Sequence, residues 1–110
     1  MELTRLPEDV LAYLPGGYEP QQGVWLVLPS DDGTRNSIVA VNSWMPDLDM
    51  YPESLGPVIW FGEDGVGNFL GWDPERGRAV LWNPEDEEPW REGTVSELWQ
   101  FILNGYADAA

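Results

Sequence analysis

The sequence predicts an α+β fold in which a mostly antiparallel five-stranded sheet is flanked by an N-terminal and a C-terminal helix. Three observations carry this prediction. Short apolar runs alternate with turn residues, the connections between them are too short for parallel crossovers, and apolar residues recur at helical spacing near both ends of the chain. The 110 residues are 43% apolar and include seven Trp, which suffices for the core of one domain spanning residues 1–110.

The first half of the chain predicts one helix and one hairpin. Residues 7–14 favour a helix, because Pro suits a first helical turn, two acids follow it, and apolar residues recur along one side. Residues 24–28 and 36–41 are apolar runs that flank Ser-Asp-Asp-Gly at 30–33, which predicts two strands joined by a turn. No clear period is found in residues 42–56, so we expect a loop there with one helical turn.

The second half of the chain predicts the rest of the sheet and the closing helix. Strands are expected over residues 58–61, 68–72 and 78–82, with a glycine-rich turn at 62–67 and the strongest hairpin signal at 73–77. An acidic loop is expected over residues 83–92. Thr94 and Glu97 then fit a capping box, and helical spacing continues until Asn104 and Gly105.

The charge of the chain favours binding over catalysis. Twenty Asp and Glu face five Arg, with no Lys, His or Cys, for a net charge of −15. Such a surface repels nucleic acid and anionic membranes, and it attracts basic partners. The missing residue types are those that most often activate nucleophiles or transfer protons near neutral pH. We therefore predict a protein-binding domain that is not an enzyme and needs no cofactor.

The sequence also predicts a cytoplasmic location. Without Cys the chain can form no disulfide framework, which small secreted domains often need. No apolar run has the length of a signal peptide or of a membrane span. Oligomeric state is left open by these observations.

The acidic loop is the predicted partner-binding site. Four consecutive acids there create a local field suited to Arg and Lys on a partner, and Trp is a residue type enriched at binding hot spots. The alternatives are a solvated loop that only maintains solubility, and a Trp that packs against the sheet. The candidate residues are Glu85, Asp86, Glu87, Glu88 and Trp90, with Asp64 and Asp73 as secondary candidates.

Other kinds of site are disfavoured by residue type and spacing. The acids at 47–49 and 63–64 lack the ligand spacing of an EF-hand, so no metal site is expected. Residues 62–67 resemble a phosphate-binding glycine loop only superficially, since two acids lie inside it and no Lys follows. Paired carboxylates of a small acid–base hydrolase remain an alternative, for which a sugar cleft would be needed.

Taken in order, several short motifs resemble the SUKH superfamily, the Smi/Knr group of cell-wall-assembly regulators and bacterial immunity proteins. A Leu-Pro start at 6–7, an aromatic-bearing helix and a glycine pair at 16–17 are similar to the first-helix signature of the family. The apolar run and glycine turn over 59–68, the hairpin around 72–82 and the acidic loop follow in the family order. Leu98, Phe101 and Ile102 resemble its closing-helix motif.

The resemblance implies a SUKH-like domain with an immunity function. Bacterial members commonly bind a cognate toxin, often a nuclease, and block it. An acidic inhibitor suits a nuclease physically, because nuclease sites are basic in order to hold phosphates. We therefore expect a protein that neutralises a basic toxin through an acidic and aromatic surface. The alternative is an intracellular scaffold or regulatory module that binds a protein unrelated to any toxin.

Overall fold

One antiparallel sheet organises the chain. The computed structural model describes residues 3–21, 23–49, 51–52, 55–86 and 89–106. Within these ranges four strands form a single sheet in chain order: β1 (Ile59–Glu63), β2 (Phe69–Asp73), β3 (Arg78–Trp82) and β4 (Arg91–Gly93). Three α-helices accompany it, α1 (Glu8–Leu11), α2 (Ile38–Trp44) and α3 (Val95–Leu103), with 3₁₀ turns at Leu3–Arg5 and Met45–Asp47. The α+β class and the antiparallel sheet are confirmed, but the sheet formed by the described residues has four strands where five were predicted.

Both faces of the sheet are covered. Residues paired across an antiparallel ladder lie on the same face, so Phe69 shares a face with Trp82, and Leu70 shares the opposite face with Leu81. All four are buried. On the Trp82 face the rings of Trp60 and Trp82 are 5.6 Å apart, and Trp60 fills the space above Gly71, where no Cβ would fit. Helix α3 packs against β3 and β4.

Residues 36–41 were predicted as a strand, and this prediction is wrong. They begin helix α2, because the Ser37 hydroxyl caps it by accepting a hydrogen bond from the Ala40 N–H at 3.2 Å. Ile38, Val41 and Met45 are all buried, and their spacing of three and four residues is the helical signal that the β-branched composition obscured. The predicted hairpin around 30–33 is therefore a loop that leads into a helix.

Residues 24–28 were predicted as a strand, but they form only isolated bridges: Trp25 pairs with Glu63 of β1, Val24 with Gln21 and Val27 with Tyr18. Trp25 and Glu63 exchange two backbone hydrogen bonds of 2.8 and 2.7 Å, and the Leu28 N–H donates to the Phe61 carbonyl. The register of β1 against β2 also shifts between Trp60 and Gly62. Gly62 allows the backbone of Leu26 to lie close to β1, since a Cβ on Gly62 would lie 2.5 Å from the Leu26 carbonyl oxygen.

The remaining elements follow the predictions with shifted bounds. The first helix was predicted over 7–14 and ends at Leu11, with turns continuing to residue 16. The turns at 62–67 and 73–77 connect β1 to β2 and β2 to β3, as predicted. The predicted acidic loop is shorter than expected because Arg91–Gly93 pairs with β3. The capping box of α3 is confirmed: Thr94 and Glu97 each accept from the other's backbone N–H.

The side chain of Asn42 closes the outer edge of β1. Its Oδ1 accepts from the Trp60 N–H at 2.8 Å, and its Nδ2 donates to the Trp60 carbonyl at 2.7 Å and to the Ile38 carbonyl at 2.8 Å. Trp60 itself is fully buried. Helix α2 thus supplies the hydrogen bonds that a fifth strand would have given to this residue.

Asn42→Ala is predicted to destabilise the fold by about 2–4 kcal/mol, because it leaves a buried N–H and a buried carbonyl without partners. Urea denaturation measures the loss of unfolding free energy. Ser43→Ala is the control, since its hydroxyl donates to the Ala40 carbonyl on an exposed part of the same helix, and it is expected to change stability by less than about 0.5 kcal/mol. Equal stabilities of the two variants would contradict the role of Asn42.

Candidate functional site

The first half of the acidic loop is fixed by hydrogen bonds. Trp82, the last residue of β3, donates from Nε1 to the Asp86 carbonyl oxygen at 2.9 Å. The Asp86 N–H donates to the Asn83 carbonyl at 2.9 Å, and the Glu85 N–H donates to Asn83 Oδ1 at 2.8 Å. Glu85 and Asp86 are both exposed. Their carboxylates are therefore presented to solvent from a held backbone.

The turn between β1 and β2 is built around the carboxylate of Asp64. This residue is only 3% exposed, and its Oδ1 accepts from the N–H groups of Val66 and Asn68 at 2.9 and 3.0 Å. Asp favours turns because its short side chain reaches the backbone two residues further on. Gly65 and Gly67 have φ of +86° and +96°, a region that glycine adopts without strain.

The second carboxylate oxygen of Asp64 ties this turn to two other segments. Both the Asn68 side-chain amide and the Tyr106 hydroxyl donate to Oδ2, the latter at 2.7 Å. Asn83 Nδ2 in turn donates to Asn68 Oδ1 at 2.8 Å. Asp64, Asn68, Asn83 and Tyr106, here called the Asp64 network, thus join the β1–β2 turn, the loop after β3 and the segment after α3.

A Schellman motif at the end of α3 places Tyr106 in this network. The Tyr106 N–H donates to the Phe101 carbonyl at 2.8 Å, and the Gly105 N–H donates to the Ile102 carbonyl at 3.1 Å. The ring of Tyr106 contacts Phe101 at 5.8 Å, which is the apolar contact typical of the motif. Tyr106 has φ of +68°, which is rare for an aromatic residue, so its side-chain contacts hold a strained backbone.

Trp90 lies at the end of the acidic loop and belongs to an aromatic cluster. Its ring stacks on Tyr106 at 5.7 Å with an interplanar angle of 25°, and it meets Phe101 edge-on at 5.9 Å. The guanidinium of Arg91 lies 4.1 Å from the Phe101 ring centroid. Trp90 is still 51% exposed. The sequence left open whether Trp90 is an exposed anchor or packs against the sheet; its ring packs on Phe101 of α3 and on Tyr106, and the rest of it faces solvent.

Burial and the buried carboxylate raise the pKa of two neighbouring groups. Burial raises the pKa of the Tyr106 hydroxyl, and the hydrogen bond to the negative Asp64 raises it further. For Glu63, burial and the charge of Asp64 raise the carboxyl pKa, against a smaller lowering by a hydrogen bond from the Gly65 N–H. The folded state therefore holds the Glu63 proton more tightly than the unfolded chain, so this group costs stability as the pH rises through the raised pKa.

These residues form one surface at one end of the sheet, which we call the acidic end: Val66, Glu85, Asp86, Trp90 and Tyr106. Val66 is 70% exposed and lines, together with Glu85, an open depression of about 300 Å³. Gly67, Phe69, Asn83 and Pro84 complete its lining. The acidic end combines exposed apolar groups with carboxylates, the composition expected of a protein-binding patch for a basic partner.

Asp73 lies at the opposite end of the sheet. It is 5% exposed, and its Oδ1 accepts from the N–H groups of Glu75 and Arg76 at 3.0 and 3.1 Å, which fixes the β2–β3 turn. Its other oxygen is 3.6 Å from Arg76 Nε, and Glu92 pairs with Arg76 and Arg78 nearby. Asp73 therefore holds a turn, in a region where acids and arginines compensate each other.

The structure brings together some of the predicted site residues and separates others. Glu85, Asp86 and Trp90 share the acidic end; Asp64 lies beneath them but is buried, so its carboxylate is not available to a partner. Asp73 is buried at the other end, and Glu87 and Glu88 lie outside the described residues. Sequence reasoning missed Val66, Asn68, Asn83 and Tyr106. The Asn104-Gly105 helix stop did signal a reversal that would fold Tyr106 back.

Comparisons with family models, with curated proteins and with solved structures find no significant match to this chain. In the part of the chain that the structure describes, no group of three or more acids could hold a metal ion. No helix among the described residues is long and apolar enough to cross a bilayer.

Tyr106→Phe is predicted to lower the unfolding free energy by about 1 kcal/mol at neutral pH, because a hydrogen bond to a charged group is lost at a partly exposed site. Because folding raises the pKa of the Tyr106 hydroxyl, the stabilisation that this hydroxyl provides depends on pH. The stabilisation is fully present below the ordinary tyrosine pKa of about 10, and it is lost as the pH rises above that value. Denaturation of both proteins between neutral pH and about pH 11 measures the difference.

Tyr13→Phe is the matched control for this experiment. Tyr13 is 37% exposed, close to the 36% of Tyr106, and its hydroxyl makes no hydrogen bond within the described residues. We expect Tyr13→Phe to leave neutral-pH stability nearly unchanged. A stability difference for Tyr106→Phe that persists unaltered above pH 10 would contradict the assigned hydrogen bond.

Proposed function

We propose that this protein is a SUKH-like immunity protein that binds a basic toxin through the acidic end and thereby blocks it. The observation that carries the proposal is the half-exposed Trp90, stacked on Tyr106 at the same end of the sheet as the exposed carboxylates of Glu85 and Asp86. A large aromatic ring surrounded by charges is the arrangement typical of an interface anchor with a polar rim. The protein acts by binding in the cytoplasm, without turnover and without a cofactor.

The distribution of charge supports a basic partner at this end. Glu85 and Asp86 have no cation within salt-bridge distance among the described residues, whereas at the opposite end Arg76 and Arg78 pair with acids. With a net charge of −15, the whole molecule attracts a basic protein over long distances. The uncompensated carboxylates at the acidic end then favour docking there rather than elsewhere.

Preorganisation of residues 83–86, the first half of the acidic loop, also supports binding. Binding energy is lost when a loop must be ordered on contact. Here Trp82 and Asn83 already hold the backbone of Glu85 and Asp86, and Tyr106 already supports one face of Trp90. A loop that served only solubility would not need these restraints. The sequence resemblance to the immunity proteins of the SUKH superfamily is the reason for proposing a toxin, often a nuclease, as the class of partner.

Two substitutions at the acidic end test the proposal by toxin neutralisation. The protein is co-expressed with the toxin domain of the gene immediately upstream, and the affinity of the purified pair is measured by calorimetry. Trp90→Ala is predicted to weaken binding by about 2 kcal/mol, roughly thirtyfold, through the off-rate. Glu85→Lys is predicted to lower the on-rate and to reduce its salt dependence, because Glu85 is an exposed rim charge.

Matched controls lie away from the acidic end. Glu75→Lys makes the same charge reversal on the exposed β2–β3 turn, and Val39→Ala removes an exposed apolar side chain from α2. Both are expected to neutralise the toxin as the natural protein does. If all four variants bind equally well, the acidic end is not the interface. If the neighbouring gene product is neither toxic nor bound, the immunity function is wrong and a regulatory binding module is the better description.

A further inference from the structure

The depression beside the acidic loop has an apolar floor and a charged rim. Phe69 forms its floor and is 7% exposed, Val66 and Pro84 form apolar walls, and Glu85 is the residue of the lining that carries a charge. At about 300 Å³ it lies at the lower limit for small-ligand pockets. Such a space suits one side chain better than a cofactor.

The floor and walls of the depression are held in place. Trp44 meets Phe69 edge-on with ring centroids 5.7 Å apart, and Phe69 pairs with Trp82 in the sheet. Asn83 is fixed by its bonds to Asn68 and to the Glu85 N–H. Of the groups that line the space, the Glu85 carboxylate is thus the strong acceptor that no described residue engages.

None of the described residues that line this space is an arginine. Arg35 lies over the ring of Trp44 at 5.1 Å from its centroid, Arg91 lies over Phe101, and Arg76 and Arg78 are at the opposite end of the sheet. A second copy of the chain would bring a further net charge of −15 to a surface that is already negative. An external cationic side chain is therefore the occupant that charge complementarity selects.

We propose that this depression receives an arginine side chain of the partner. The methylenes of arginine would contact Val66 and Pro84, its planar guanidinium would lie against Phe69, and the head group would pair with Glu85. Arginine fits better than lysine because its guanidinium is more weakly hydrated, stacks on aromatic rings and binds carboxylates through two parallel hydrogen bonds. This inference rests on the proposed function, since it names the partner group that docks at the same surface.

A titration with small probes tests the inference without the toxin. N-acetyl-arginine methylamide is added to the isotopically labelled protein in about 0.15 M salt, where long-range charge attraction is screened beyond about 8 Å. The amide signals of Val66, Gly67, Phe69 and Glu85 are predicted to shift and to saturate. The corresponding lysine amide is predicted to bind about threefold more weakly, and the citrulline and leucine amides, which lack the charge, should not saturate.

Two substitutions that each remove one carboxylate charge supply the matched pair of variants. Glu85→Gln is expected to weaken binding of the arginine probe about threefold, as removal of one exposed ion pair does. Glu75→Gln on the far turn is expected to leave the affinity for the probe unchanged. Equal binding of the leucine and arginine probes would overturn the charge assignment. Amide shifts that are spread over all exposed acids, with no loss of affinity for the arginine probe in Glu85→Gln, would overturn the assignment of the site.

The outcome separates this inference from the proposed function. If the probes fail to bind the depression but the protein still neutralises the toxin through Trp90, the arginine site is wrong and the immunity function stands. If the arginine probe binds as predicted but the neighbouring gene product is not bound, the arginine site stands and the immunity function is wrong.

Discussion

The buried carboxylate of Asp64 is the interaction on which the candidate site depends. One oxygen closes the turn between β1 and β2, and the other binds Asn68 and the Tyr106 hydroxyl. A buried charge is tolerated only when hydrogen bonds replace its water shell, and four donors do so here. These donors come from the β1–β2 turn and from the segment after α3, and Asn68 in turn accepts a hydrogen bond from Asn83 in the loop after β3. The Asp64 carboxylate therefore sets the relative positions of these three surface segments.

The two ends of the sheet use the same residue type for different purposes. Asp73 closes the β2–β3 turn with bonds inside its own hairpin and a nearby arginine, so its influence is local. Asp64 instead binds the distant Tyr106 directly and is linked to Asn83 through Asn68. The end of the sheet where hydrogen bonds join segments distant in sequence is also the end where Trp90, Glu85 and Asp86 face solvent. Restrained backbone and exposed aromatic and acidic side chains therefore occur at the same end. That coincidence is what an interface needs, because groups fixed before contact lose little entropy on binding.

The sequence predicted the features that depend on local chemistry. The capping box at Thr94, the glycine turn before Asn68 and the 73–77 hairpin were all foreseeable, because each is decided by residues within a few positions. The helix at Ile38–Trp44 was missed because its β-branched residues favour strands; the Ser37 cap, the bond from Asn42 to Trp60 and the burial of one face override that tendency. The Asp64 network could not be predicted, since Tyr106 lies 42 positions away from its partner.

Hydrogen exchange on Asp64→Ala tests this coupling most directly, with Asp73→Ala as the counterpart at the other end. If Asp64 couples the three segments, its removal will speed amide exchange not only at Val66 and Asn68 but also at Glu85, Asp86 and Tyr106. Asp73→Ala will speed exchange at Glu75 and Arg76 and leave the acidic end unchanged. Faster exchange confined to Val66 and Asn68 in Asp64→Ala, with protection at Glu85, Asp86 and Tyr106 intact, would contradict the account.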